Sequence, residues 1–197
     1  MNKISILLLF LILPLGATEF RTTGLILRVV DGDTFHARLR DGRKLKIRLL
    51  GVDTPESYTT RYGYKEYLGK QASSFVRNIL NKRNVVFHFQ TRRNQRIQSG
   101  RYGRALAFIT INGRDLGEIL LQKGYASVYR KIRSARHSRY VLLEQHAKHQ
   151  QLGIWNHALS RKYYRNLYQK SGDDRLILWF WKNDRRYLSN LLKQKGN

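Results

Sequence analysis

Two acids separated by a hairpin, a third acid just past a proline, and two arginines beside them are the chemically loaded residues of this 197-residue chain. The stretch IRLLGVDTPES (residues 47–57) ends an apolar run with Asp53, Pro55 and Glu56, and Asp33 lies upstream in VVDGDT. The chain has a formal net charge of +25, yet five of its 13 acidic residues (Asp31, Asp33, Asp41, Asp53, Glu56) fall between positions 31 and 56. Convergent carboxylates gather a hard cation. Two of them, with a backbone carbonyl and waters, suit Ca²⁺ at about 2.3–2.6 Å better than Mg²⁺, which resists an irregular shell. Glu56 would stand next to that cation rather than on it, placed to orient or deprotonate a water for attack on phosphorus. A phosphodiester also needs cations for the charge that builds on its equatorial oxygens. Arg48, on the strand before the acidic loop, and Arg104, which closes RYGR, are the two guanidinium candidates.

These side chains need a frame. From Gly24 to Leu50 the residues alternate as strands do, and Asp41-Gly42 suits a tight hairpin turn. Asp33 is expected just inside the second strand and Asp53 just beyond the third, so antiparallel pairing brings both to one end of the sheet. Residues 65–81 place Tyr67, Leu68, Ala72, Phe75, Val76, Ile79 and Leu80 at helical spacing. Further strands are expected at 85–90 and 104–111, then a helix over 116–122, a short strand in YASVY and a helix over 134–150. The expected fold is α+β: a small closed five-stranded β-barrel of OB type with about three packed helices and a helical C-terminal extension.

Residues 1–17 carry Lys3, an apolar run from Ile4 to Leu13, then Pro14, Gly16 and Ala17, which reads as a signal peptide; an uncleaved anchor is the alternative. The run is short for a membrane span of ~20 residues. With no cysteine the chain has no disulfide framework, compatible with an exported, secreted or periplasmic protein that folds on its core alone. The excess of Lys and Arg favours an anionic polymer, with nucleic acid first and an anionic membrane surface second.

VVDGDT, IRLLGVDTPE, RYGRALA and GIW, in this order on this layout, resemble the staphylococcal nuclease (thermonuclease) family, from about Gly24 to Trp155. The resemblance implies an OB-barrel, Ca²⁺-dependent endonuclease of DNA and RNA, single strands preferred, that cuts the P–O5′ bond and leaves 3′-phosphate ends. It implies Asp33, Asp53 and the Thr54 carbonyl as calcium ligands, Glu56 as general base or water-positioning residue, and Arg48 and Arg104 as the phosphate clamp. Asp31 matches an outer-shell acid and Tyr102 a tyrosine beside the nucleotide's 3′-phosphate. Two positions depart from the family pattern. Gly100 stands where the archetype has an acid, which puts the organisation of the Arg104 loop in question. Only Tyr129 matches a pair of tyrosines after YASV, and Arg130-Lys131 shift the expected weight there from stacking to phosphate contact.

Each reading has a plainer rival. Asp-Gly is an ordinary turn dipeptide, and Arg48 could simply pair with Asp53. His146 and His149 lie one helical turn apart without a third ligand, His36 and His88 fall in strands, and no histidine is assigned to catalysis. The loop TRRNQRIQSGR supplies Arg92, Arg93, Arg96 and Arg101 as residues expected to track a nucleic-acid backbone. The chain divides into the leader (1–17), a nuclease-like domain (22–156) and a basic, aromatic-rich extension (157–197) that packs, adds nucleic-acid surface or touches an anionic membrane. No protein partner is called for, and a monomer is expected. The rival function is a noncatalytic OB module that binds nucleic acid.

Overall fold

The computed structural model of the chain describes residues 19–58, 66–91, 96–132, 134–156, 158–160, 162, 163 and 166. The expected leader and nearly all of the C-terminal extension lie outside the described residues.

Five strands close a barrel. Strand β1 (Glu19–Asp31) pairs antiparallel with β2 (Thr34–Leu39) and with β5 (Asn84–Gln90), and β2 pairs with β3 (Lys44–Leu49). Strand β6 (Ala105–Ile111) runs antiparallel to β5 and parallel to β3, and this β3–β6 seam shuts the cylinder. One side chain in two points inward, so Ile26, Phe35, Ala37, Ile47, Leu49, Phe87, Phe89, Ala107 and Ile109 form a dry interior. Two-residue strands complete the β structure: β7 (Arg114–Asp115) pairs with β6, and β4 (Val52–Asp53) pairs outside the barrel with β8 (Ser127–Val128). Helices α1 (Gly69–Leu80), α2 (Leu116–Gln122) and α3 (His137–His149) pack around the barrel, which gives the expected OB-type α+β fold.

Local differences from the sequence reading have identifiable causes. β1 starts at Glu19 because β5 is long enough to pair with it as far as Gln90. Asp33 is not inside the second strand. Asp31 pairs with Thr34, which leaves Gly32-Asp33 as the two-residue turn between β1 and β2. Helix α1 begins at Gly69 rather than 65, because Leu68 adopts a left-handed backbone (φ 61°) that cannot propagate a right-handed helix. The YASVY strand shrinks to Ser127–Val128, since its partner β4 is itself two residues long. Helix α2 matches the expected bounds. Asp115 caps it, its carboxylate accepting from the Glu118 backbone N–H at 3.0 Å.

Candidate active site

Three short elements meet at one end of the barrel: the Gly32-Asp33 turn, the end of β3 and the β4 strand that follows it. Asp33 is almost wholly buried, at 1% exposure. Its Oδ2 accepts from the Thr54 backbone N–H (2.8 Å) and hydroxyl (2.9 Å), and its Oδ1 from the Thr34 hydroxyl (3.0 Å). Gly32 is required beside it, because a Cβ there would come within 2.7 Å of the Thr54 hydroxyl oxygen. Asp53 is half open, and its direction comes from β4 pairing with β8, where it lies opposite Ser127.

Arg48 joins the two acids. Its Nη1 pairs with Asp33 Oδ1 and its Nη2 with Asp53 Oδ1, and its side chain is 15% exposed. The plainer expectation of an Arg48–Asp53 ion pair is therefore present, extended to Asp33. A guanidinium standing between two carboxylates marks the point where this site calls for positive charge. The two carboxylates expected to hold a hard cation are here both engaged by Arg48, and Asp33 also accepts from Thr34 and Thr54. Asp31 adds a buried Oδ1 without a hydrogen-bond partner. No group of three or more His, Cys, Asp or Glu side chains among the described residues forms a ready-made cage, so a bound cation would keep waters in its shell.

Glu56 occupies the acidic side of the site. Its carboxyl hydrogen-bonds Asp31 and is pushed up to about 7, by burial first and then by the Asp31 hydrogen bond and charge, with Arg48 opposing. Burial likewise raises Asp31. Two carboxyls that touch cannot both ionise cheaply, so the pair retains a proton where isolated acids would not. The backbone of Glu56 is clamped by Glu66. The Glu56 N–H donates to Glu66 Oε2 (3.0 Å), and the Glu66 N–H donates to the Glu56 carbonyl (3.2 Å). Gly69 lies against the same carbonyl, where a Cβ would stand 2.1 Å from the oxygen. Sequence reasoning missed Glu66 and Gly69 as supports of this site. No pattern of side-chain types signals either, because both act on the Glu56 backbone.

Arg104 reaches the site from the far side of the β3–β6 seam, its Nη1 3.4 Å from the Thr34 hydroxyl. Its guanidinium also lies 5.8 Å from the ring centre of Tyr102, which is 78% exposed and held at φ 62°. The Gly100 departure does not leave this loop unorganised. Gly100 N–H donates to the Arg104 carbonyl (2.8 Å) and Leu106 N–H to the Gln98 carbonyl (2.9 Å). Arg96 lines a groove of about 720 Å³ with Phe20, Arg43, Leu45 and Ile97, next to the Arg104 loop. Arg92 and Arg93 lie outside the described residues, as does the side chain of Arg101. Arg130, at the YASVY edge, has an acidic partner of its own. It pairs with Glu144 on α3 while its side chain stays 54% exposed.

The chain is thus a closed OB barrel that gathers acids and two arginines at one end. The family model described as Staphylococcal nuclease homologue matches residues 46–157. An uncharacterised protein of Methanocaldococcus jannaschii is 34% identical over 68% of this chain and 71% of its own length. A thermonuclease of Staphylococcus intermedius is 32% identical over 66% of this chain and 74% of its own. The endonuclease YncB of Bacillus subtilis is 31% identical over 66% of this chain, which spans 59% of that protein. The chain belongs to the staphylococcal nuclease family.

Proposed function

We propose that this protein is a nuclease, and more specifically a Ca²⁺-dependent endonuclease that hydrolyses DNA and RNA, prefers single strands and leaves 3′-phosphate ends. The observation that carries the reading is Arg48 held between Asp33 and Asp53, with Glu56 on one side and Arg104 on the other. Asp33, Asp53 and the Thr54 carbonyl would hold the cation, which supplies positive charge beside the phosphate. Glu56 takes the proton of the attacking water, the new P–O bond forms, the P–O5′ bond breaks and solvent protonates the departing O5′. Arg48 and Arg104 carry the charge that builds on the equatorial oxygens. Tyr102 stands beside the nucleotide's 3′-phosphate, and Arg96 with Arg92, Arg93 and Arg101 follows the backbone. The leader sends the protein out of the cytoplasm as a secreted or periplasmic monomer.

Single-stranded DNA and RNA incubated with the full chain, in Ca²⁺, in Mg²⁺ and in chelator, test the proposal. Ca²⁺-dependent cutting to 3′-phosphate ends supports it. Tight binding with no cutting in any condition supports the noncatalytic module instead.

A further inference from the structure

The outer face of the β2–β3 hairpin carries a charge pattern that the barrel does not need. Lys44, Lys46 and Arg48 alternate along β3 with the inward Leu45, Ile47 and Leu49, so all three cations share the outer face. The register sets Lys44 opposite Arg38, Lys46 opposite His36, and His36 in turn opposite Arg28 of β1. Like charges placed directly across a strand pair destabilise a sheet. Among the described residues Arg28, Arg38, Lys44 and Lys46 make no ion pair or side-chain hydrogen bond, and each is exposed. The hairpin's own acid, Asp41, is taken by Arg43 at 2.7 Å. The repulsion is thus left uncompensated among the described residues.

The row also has a direction. It ends at Arg48, the phosphate clamp of the proposed active site, and steps away from it every second residue, at about 6.6–6.8 Å per step. That repeat is comparable to the spacing of phosphates along one extended strand of nucleic acid. We propose that the outer face of β2–β3 is a phosphate track, in which Lys46 and Lys44 hold successive phosphates of a single strand whose scissile phosphate lies at Arg48, with Arg38 and His36 flanking. The track rests on the nuclease reading for its register, but it makes a binding claim of its own. It differs from the arginines of TRRNQRIQSGR in giving the polymer a second, rigid path built on strands.

The test compares the Lys44→Gln/Lys46→Gln double variant with the parent, both in a Glu56→Gln background so that binding is read without cutting. The probe is a labelled oligothymidylate of about twelve nucleotides, within the site size of OB folds. An Arg77→Gln/Lys82→Gln variant is the charge-matched control. Loss of two single-strand phosphate contacts lowers the slope of log affinity against log salt by about 1.4 in magnitude. The parent's affinity advantage should therefore shrink by about sevenfold between about 50 and 200 mM salt, with little change in the control. A dinucleoside monophosphate, whose single phosphate occupies Arg48 alone, should bind both forms alike. An unchanged slope, or an equal loss in the control, overturns the track. So does unchanged oligonucleotide binding with weakened binding to phosphatidylserine vesicles, which would assign the face to a membrane. A parent that binds with the expected slope but cuts nothing in its Glu56 form retires the nuclease reading and leaves the track standing.

Discussion

Two acids of this chain are built in opposite ways. Glu144 on α3 is wholly buried, and every interaction around it favours the anion. Its Oε1 accepts from the Val128 N–H at 2.8 Å, its Oε2 from Lys148 at 2.8 Å, and Arg130 spans both oxygens. Burial alone would raise its pKa, but the Arg130, Lys148 and Val128 hydrogen bonds overcome that and hold the carboxyl at about 2. Glu56 sits against Asp31, another acid, and burial and that neighbour push it up to about 7. Glu144 thus serves the fold, since it fixes β8 and through the β8–β4 pairing the strand that aims Asp53. The Glu56 centre is held in a state that the chain does not satisfy on its own, as strained polar clusters in active sites commonly are.

The comparison breaks most sharply under truncation. Glu56→Gln should lower kcat by about 10²–10⁴-fold, the usual worth of a positioned base, while leaving the thermal midpoint no lower than the parent's. Glu144→Ala should do the reverse. It strands Arg130, Lys148 and the Val128 N–H, at a cost of about 3–5 kcal/mol in urea unfolding. If Glu56→Gln unfolded the protein, or Glu144→Ala left its stability intact, the division of roles would be wrong.

That division also explains what could be read from the sequence. The Asp33, Arg48 and Asp53 cluster was legible because turn chemistry and strand alternation place the three at one barrel end whatever the details of packing. Asp33 still moved from the strand into the turn, since the Asp31–Thr34 pairing that decides this is a one-residue matter of register. The Glu144 node was not legible. In the sequence Glu144 is one acid on a helix rich in Lys, Arg and His, and only the tertiary approach of β8 gives it a buried backbone partner. The same long-range contact gives Arg130 the Glu144 partner that its neighbourhood in sequence does not show. Glu66 was hidden for a similar reason, because its target is the backbone of Glu56 and leaves no pattern in side-chain types.

Acidification tests the Glu144 side alone. A carboxyl whose folded pKa is depressed stabilises the fold above its unfolded value and loses that contribution as pH falls through the folded one. For Glu144 the window runs from the ordinary 4.5 down to about 2, and the loss should be on the order of 3 kcal/mol. Urea midpoints measured stepwise from pH 6 to pH 2 should fall through this window in the parent. In Glu144→Gln they should fall by less, because the group that gains the proton is gone. Equal slopes in both proteins would show that other acids dominate.

Asp31→Asn is the smallest of these effects and the one with the opposite sign. Asp31 is buried with an oxygen that has no partner, and its charge lies against Glu56. A carboxyl with a raised folded pKa gives its full contribution below the unfolded value and loses it as pH rises through the folded one, here from 4.5 through about 7. Above that range the two charges repel, so replacing one with a neutral amide should stabilise the cation-free fold, by about 0.5–1 kcal/mol because Glu56 is partly open to solvent. At pH 5, where the pair still holds its proton, the gain should shrink. The Glu56 titration should move down toward 4.5 in the variant. A gain of equal size at pH 5 and pH 8 would mean that the introduced amide merely suits the turn better, whereas a loss at pH 8 would mean that Asp31 supports the fold as Glu144 does.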